Sequence, residues 1–137
     1  MSNKNNLVHA RTCVYNVGYH TIFTTKYRKQ VFKDKIESRL KEILYQVAED
    51  KEFIIETMEL MPDHVHLFVT AHPKIAPSYI VKMSKGISGR LLLKEFPKLK
   101  EQLYKGHLWN KSYYLETVGN ISQDTVKQYI ENKKSKS

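Results

Sequence analysis

At 137 residues the chain is sized for one domain with a single sizeable core. Its 41% apolar and 27% charged residues are ordinary for a globular protein, and its one cysteine, Cys13, excludes an intrachain disulfide. No apolar stretch approaches the roughly 18 residues a membrane helix needs, and the net charge of +9, from 23 basic and 14 acidic residues, favours a polyanionic partner, nucleic acid above all.

Charge alone also allows a basic surface with no partner. The polar start Met1 to Asn6 has no apolar signal region behind it, which together with the lone cysteine points to the cytosol. Residues 1–6 and 133–137 read as flexible ends of a single domain spanning 1–137.

Val14 to Thr24 is rich in β-branched and aromatic residues and predicts a first strand, bent at Gly18. The basic connector Lys26-Tyr27-Arg28-Lys29 follows. Lys33 to Asp50 predicts a helix, with Ile36, Leu40, Ile43, Leu44 and Val47 as its apolar stripe. Phe53 to Leu60 and His64 to Thr70 predict two strands joined by the turn Met61-Pro62-Asp63, a short hairpin. Ser78 to Phe96 predicts a second helix with Ile80, Ser84, Ile87 and Leu91 inward. His107 to Val118 predicts a fourth strand, broken by Gly119-Asn120. A last short helix starts with Ser122 as N-cap, Ile121 and Val126 forming its hydrophobic staple. The first six elements give an α+β, ferredoxin-like (RRM-like) βαββαβ fold. Its four-stranded antiparallel sheet carries two helices on one face, and the C-terminal helix is an addition.

His64 and His66 are the first candidates for chemistry. Alternate residues of a strand share one face, so both imidazoles emerge on the same side, about 7 Å apart at the backbone. From there they can converge on one metal ion, while Val65, Leu67 and Val69 pack on the other face. Two ordinary surface histidines are the plainer alternative. A histidine triad would need a third alternating histidine, and Phe68 stands there. Tyr129 lies at the edge of the last helix's apolar stripe, either as a core-rim tyrosine or as a nucleophile. A phenol of pKa about 10 needs help from a base or a metal-polarised phosphate to attack. Lys26, Arg28, Lys29, Lys82, Lys85 and Arg90 are candidate phosphate contacts. Tyr15, Tyr19, Tyr27, Trp109, Tyr113 and Tyr114 either stack bases or fill the core. Gly86 and Gly89 allow close approach to the second helix, by DNA or by the sheet.

Pro62-Asp63-His64-Val65-His66-Leu67 resembles the His-hydrophobic-His motif of the HUH endonucleases. Val126-Lys127-Gln128-Tyr129-Ile130-Glu131-Asn132 resembles the tyrosine helix of the small single-tyrosine insertion-sequence transposases. Tyr19 to Arg28, Lys85 to Arg90 and Trp109 to Tyr114 are similar to the same family, in the same order and over nearly the whole chain. The resemblance implies a dimer with joined sheets and composite active sites, acting on single-stranded element ends that bear hairpins. It implies Tyr129 as nucleophile, forming a 5′-phosphotyrosine and a free 3′-hydroxyl that later reseals a junction. It further implies His64 and His66 as ligands to Mg2+ or Mn2+, and a prokaryotic, nucleoid-associated location.

One position departs from the family, which usually places Gln four residues after the tyrosine as a third ligand. Here it is Lys133. A lysine must lose its proton to ligate, which at pH 7 costs roughly 4–5 kcal/mol. Asn132, a water or the DNA is left to complete the shell. Two other readings stay open: a non-catalytic single-strand-binding RRM-like module, and a phosphodiesterase that uses water and has no need of Tyr129.

Overall fold

Strand alternation organises the molecule. In the computed structural model, which describes residues 16–103 and 106–121, β1 (Asn16–Thr24) buries Tyr19, Thr21 and Phe23 and leaves His20, Ile22 and Thr24 half-buried. In β3 (His64–Ala71), Val65, Leu67 and Val69 are buried on the same side. Between them in sequence come α1 (Asp34–Asp50) and β2 (Phe53–Met61), and α2 (Pro77–Glu95) and β4 (Tyr114–Ile121) follow. The strand order is β2-β3-β1-β4 with every pairing antiparallel. That is the ferredoxin-like arrangement expected from the order of elements.

The core lies between the sheet and the two helices. Leu40, Ile43, Leu44, Val47 and Ala48 of α1 meet Phe23, Phe53, Val65 and Leu67, with Ile80 and Leu92 of α2 alongside. The α1 stripe falls where its periodicity places it, except that Ile36 is only half-buried. Arg39 of α1 forks onto Glu95 at the end of α2 (Nε to Oε1 2.7 Å, Nη2 to Oε2 3.0 Å), and this pairing holds the Glu95 carboxyl below its ordinary range.

The buried row of α2 differs from the expected one. Ile80, Val81, Ser84, Ser88 and Leu92 are buried, whereas Ile87 and Leu91 are half-buried and line a groove with Ile43 and Val47 of α1. The reason is Trp109. Its ring sits edge-on to Phe23 (4.8 Å) and tilted on Phe32 (5.2 Å), and its Nε1–H donates to Ser88 Oγ (3.0 Å). A Cβ added at Gly89 would lie 3.5 Å from Trp109 Cδ1, ordinary contact, whereas one added at Gly86 would meet nothing within 4 Å. Gly86→Ala is therefore expected to raise stability by about 0.5–1 kcal/mol, through helix propensity and reduced unfolded-state entropy. A rise in the urea midpoint at unchanged slope checks it.

The fourth strand also differs at both ends. It begins at Tyr114 instead of His107, and Trp109 contributes only an isolated bridge to Thr25. Burial of the indole pulls residues 107–111 out of the ladder. Lys85 Nζ meanwhile donates to the carbonyls of Asn110 (2.7 Å) and Lys111 (3.1 Å), occupying acceptors a strand would use. At the other end Gly119-Asn120 does not break the strand, which runs to Ile121. Gly119, at φ 101°, stands opposite Gly18 where the β1–β4 register slips, a conformation that favours glycine. The extra residue at the slip is Val118 of β4, so the irregularity beside Gly18 is a bulge of β4. The helix expected from Ser122 onward, with Val126 and Tyr129, falls outside the described residues, as do Cys13, Tyr15, Asn132 and Lys133.

Candidate functional site

His64 and His66 stand on the sheet face opposite the helices, as their spacing requires. Strand pairing then decides what each one meets. Glu59 of β2 lies directly across from His66, and His66 Nδ1–H donates to Glu59 Oε1 (3.1 Å). His64 Nδ1–H donates to Asp63 Oδ1 (2.7 Å). A carboxylate can only accept, so both rings carry a proton on Nδ1, and in the neutral form of either ring the lone pair is on Nε2. This is the pattern histidines adopt when Nε2 binds a metal and a second group orients the ring. The donor chemistry therefore fits a divalent ion. Among the described residues no group of three or more His, Cys, Asp and Glu forms a metal cluster, so these two imidazoles would need oxygen ligands from elsewhere.

The turn before His64 is pinned. Thr25 N–H donates to Asp63 O (2.9 Å) and Phe32 N–H to Pro62 O (3.0 Å). Asp63 in turn fastens the basic connector, because Arg28 Nε–H donates to its second oxygen (2.9 Å). The hydrogen bonds from His64 and Arg28 hold the Asp63 carboxyl below the usual carboxylate range. Tyr27 and Arg28 both adopt left-handed backbone (φ 58° and 56°). Such strain in bulky residues costs of order 1–3 kcal/mol each and persists only where the surroundings impose it. Here the turn displays Tyr27 and Arg28, each about two-thirds exposed (66% and 64%), beside the histidines. The ammonium of Lys26 lies 5.7 Å from the Tyr27 ring centre.

The other cations named from the sequence are placed differently. Lys82, Lys85 and Arg90 belong to α2, on the far side of the sheet from His64 and His66. Lys82 and Arg90 are exposed. Lys85 is engaged in holding residues 110–111, lies 5.4 Å from the Tyr113 ring, and has its ammonium pKa pushed down by burial. Of the aromatic set, Tyr19 and Trp109 are core, while Tyr27, Tyr113 and Tyr114 are exposed.

Sequence reading passed over three residues of this face. Asp63 and Glu59 orient the histidines, and His20 of β1 places its Nε2 2.8 Å from His66 Nε2. His20 lies directly across from Glu116 of β4, with Nδ1 3.8 Å from Oε1. Glu59, His66, His20 and Glu116 thus form a chain across all four strands. Alternation could have put His20 on this face, but nothing short of the sheet order brings it to His66. Tyr114 stands at the same end, its ring edge-on to His20 at 6.1 Å. The Glu116 carboxylate pushes its phenol pKa up, the wrong direction for a nucleophile.

Fold and site together define a ferredoxin-like sheet with an oriented histidine pair on its open face. The family model described as "Transposase IS200 like" matches residues 13–133, and the chain belongs to that family of single-tyrosine DNA transposases. It is similar to the ISDra2 transposase TnpA of Deinococcus radiodurans, with 41% identity over 126 residues, 92% of this chain and 90% of that one. It is 31% identical over 137 residues to the transposase for insertion sequence element IS200 of Salmonella typhimurium, covering 98% of this chain and 88% of that protein. A crystal structure described as a transposase from Deinococcus radiodurans R1 superposes with a TM-score of 0.74 at 41% identity, over 89% of this chain and 94% of that one. A REP-associated tyrosine transposase bound to a REP hairpin shares the fold at a TM-score of 0.60 and 16% identity, over 89% and 65% of the two chains. The protein is thus a DNA-cleaving and strand-transferring enzyme, and the non-catalytic binding module is not favoured. No helix among the described residues is long and apolar enough to cross a membrane.

Proposed function

We propose that this transposase cuts and rejoins single-stranded, hairpin-bearing element ends through Tyr129, with Mg2+ or Mn2+ held by His64 and His66. The observation that carries the reading is the pair of Nδ1–carboxylate hydrogen bonds, His64 to Asp63 and His66 to Glu59, which orients each ring with Nε2 turned away from its carboxylate. A bound divalent ion would neutralise charge developing on the scissile phosphate, its remaining ligands being water and phosphate oxygens. In the first step the Tyr129 phenol gives up its proton and its Oη bonds to phosphorus. The P–O3′ bond breaks, and the departing 3′ oxygen takes up a proton. In the second step the 3′-hydroxyl of another strand bonds to phosphorus and the Tyr129 oxygen leaves. One phosphodiester is conserved throughout, so no nucleotide hydrolysis is needed. Arg28 would contact the DNA backbone beside His64, with Lys26 on the same turn, while Lys82 and Arg90 would meet DNA that passes around α2. A homodimer joined along the β4 edge is supported by the exposure of Tyr114 and Val118 there. Such a dimer allows the tyrosine helix of one subunit to serve the histidines of the other.

The test is a covalent adduct. Labelled single-stranded DNA and manganese, followed by denaturation, should leave label on the protein. The adduct should vanish in Tyr129→Phe and on chelation. Cleavage that survives Tyr129→Phe would mean hydrolysis by water. The orienting carboxylates should matter next. Asp63→Asn and Glu59→Gln are each expected to weaken Mn2+ binding about 10–100-fold, read by calorimetry.

A further inference from the structure

Two consecutive bulky residues of the basic connector, Tyr27 (φ 58°, ψ 23°) and Arg28 (φ 56°), stand in the left-handed region that glycine adopts at least cost. Main-chain bonds impose this shape. Thr25 N–H donates to Asp63 O (2.9 Å), Lys26 N–H to Leu108 O (3.0 Å) and Arg28 N–H to Thr25 O (3.0 Å), while the Thr25 hydroxyl donates to Lys29 O (2.7 Å). These bonds do not involve the Tyr27 side chain, so they require the conformation and not the ring, and glycine at this position would adopt it with less strain. The core does not use the ring either. With Lys26 Nζ 5.7 Å from the ring centre and every other neighbour in place, Tyr27 is still 66% exposed, more than any other large hydrophobic among the described residues. The turn is also fixed against the histidines. β1 ends at Thr24, in register with His64. One carboxylate, that of Asp63, then meets Arg28 Nε through Oδ2 (2.9 Å) and His64 through Oδ1 (2.7 Å).

We propose that Tyr27 is a DNA-binding residue of the cleavage site: its ring stacks on an unpaired base next to the scissile phosphate, between the cations Lys26 and Arg28. The inference rests on the reading of His64 and His66 as the cleavage centre. An aromatic ring flanked by basic side chains suits a single strand, because every base offers a face to stack and every nucleotide brings a phosphate. Arg28 gives its Nε–H to Asp63, and its terminal nitrogens carry four more N–H donors that can meet phosphate oxygens. A platform already fastened by the main chain loses little freedom when the base arrives. Stacking of this kind reads no sequence. A base held on Tyr27 sets which phosphate of the strand reaches the histidines.

Binding is measured on the full-length protein in chelator, by fluorescence anisotropy, with a labelled thymidine oligonucleotide and an abasic oligonucleotide of the same length. The two carry the same phosphates, so the difference between them isolates the bases. Tyr27→Gly is expected to lose about five- to 150-fold in affinity for the thymidine strand, the range for one stacked base, and to keep its affinity for the abasic strand. Tyr27→Phe, which keeps the ring, should bind both as wild type does. Glycine suits φ 58°, so an unchanged or raised urea midpoint in Tyr27→Gly separates lost stacking from lost folding. Tyr45→Ala removes a tyrosine that is 49% exposed on α1, on the helix side of the sheet, and should leave both affinities alone. A single abasic nucleotide moved along a cleaved strand then places the contact. Adduct formation by wild type in Mn2+ should fall where the gap adjoins the scissile phosphate, and Tyr27→Gly should show no further fall there. Equal loss on both strands, or no loss on either, overturns the inference and leaves the cleavage reading standing. A thymidine-specific loss in Tyr27→Gly, with no adduct formed by wild type, supports the stack and overturns the cleavage reading.

Discussion

His66→Ala is expected to reduce formation of the covalent protein–DNA adduct by at least about a hundredfold, with the folded structure kept. Metal assistance and charge neutralisation at a scissile phosphate account for losses of ~10²–10³ when one such group is removed. His66 is the more exacting of the two histidines to lose. It stands on β3, in the interior of the sheet, and makes contacts on both sides, to Glu59 on β2 and to His20 on β1. Its removal deletes one of the two proposed ligands and also the residue that Glu59 and His20 both contact. His64→Ala should fall in the same direction, because its ring is held by Asp63 in the same tautomer. The cost to stability should be small, since the His66 side chain is 22% exposed and lies outside the apolar core. His72→Ala is the control: His72 follows β3 and its Nδ1 accepts from the Lys74 backbone N–H, away from the pair. Labelled DNA with manganese, resolved on a denaturing gel, gives the comparison. Full activity in His66→Ala would remove the metal assignment.

The second large effect is on stability. Trp109→Ala is expected to cost about 3–5 kcal/mol, the range for deleting a large buried aromatic. Trp109 is 9% exposed, packs on both Phe23 and Phe32, and satisfies its indole N–H at Ser88. The loss should reach the site as well. The segment around Trp109 fastens the end of β1: Lys26 N–H donates to Leu108 O (3.0 Å) and Asn110 N–H to Thr24 O (2.8 Å). The strained turn that displays Tyr27 and Arg28 is built on those bonds. Trp109→Ala should thus weaken DNA binding even where the protein remains folded. Trp109→Phe should cost less, because Ser88 Oγ still donates to Ser84 O (2.5 Å) once the indole is gone. Chemical denaturation gives the stability of each variant. Since Trp109 is the only tryptophan, its fluorescence in the wild type reports opening of this corner directly.

Several features were legible in the chain because they depend on local spacing. The α1 stripe follows from a period near 3.6. The short hairpin between β2 and β3 follows from Pro62-Asp63, and the shared face of His64 and His66 from the period of two. The family resemblance lay in short motifs for the same reason. Errors came where a residue's environment is set by something distant. Ile87 and Leu91 fit an apolar stripe as well as Ser88 and Leu92 do until Trp109 is known to lie on Ser88. Trp109, Tyr113 and Tyr114 read as one strand, yet burial of the indole and the two carbonyls taken by Lys85 delay β4 to Tyr114. Lys85, named as a phosphate contact from its charge, is half-buried and donates to the carbonyls of Asn110 and Lys111.

The histidine run shows the same division. Sequence by itself determined that His64 and His66 share a face and that the opposite face packs. The tertiary structure decided what surrounds the pair. Asp63 is a neighbour in sequence, but its hold on Arg28 comes from the turn closing on the connector. Glu59, His20 and Glu116 lie 7, 46 and 50 positions from His66 in the chain and reach the same face only because the strand order is β2-β3-β1-β4. Period and propensity are properties of a few consecutive residues. The partner of a side chain across a sheet is fixed by register and strand order, which the whole core sets at once.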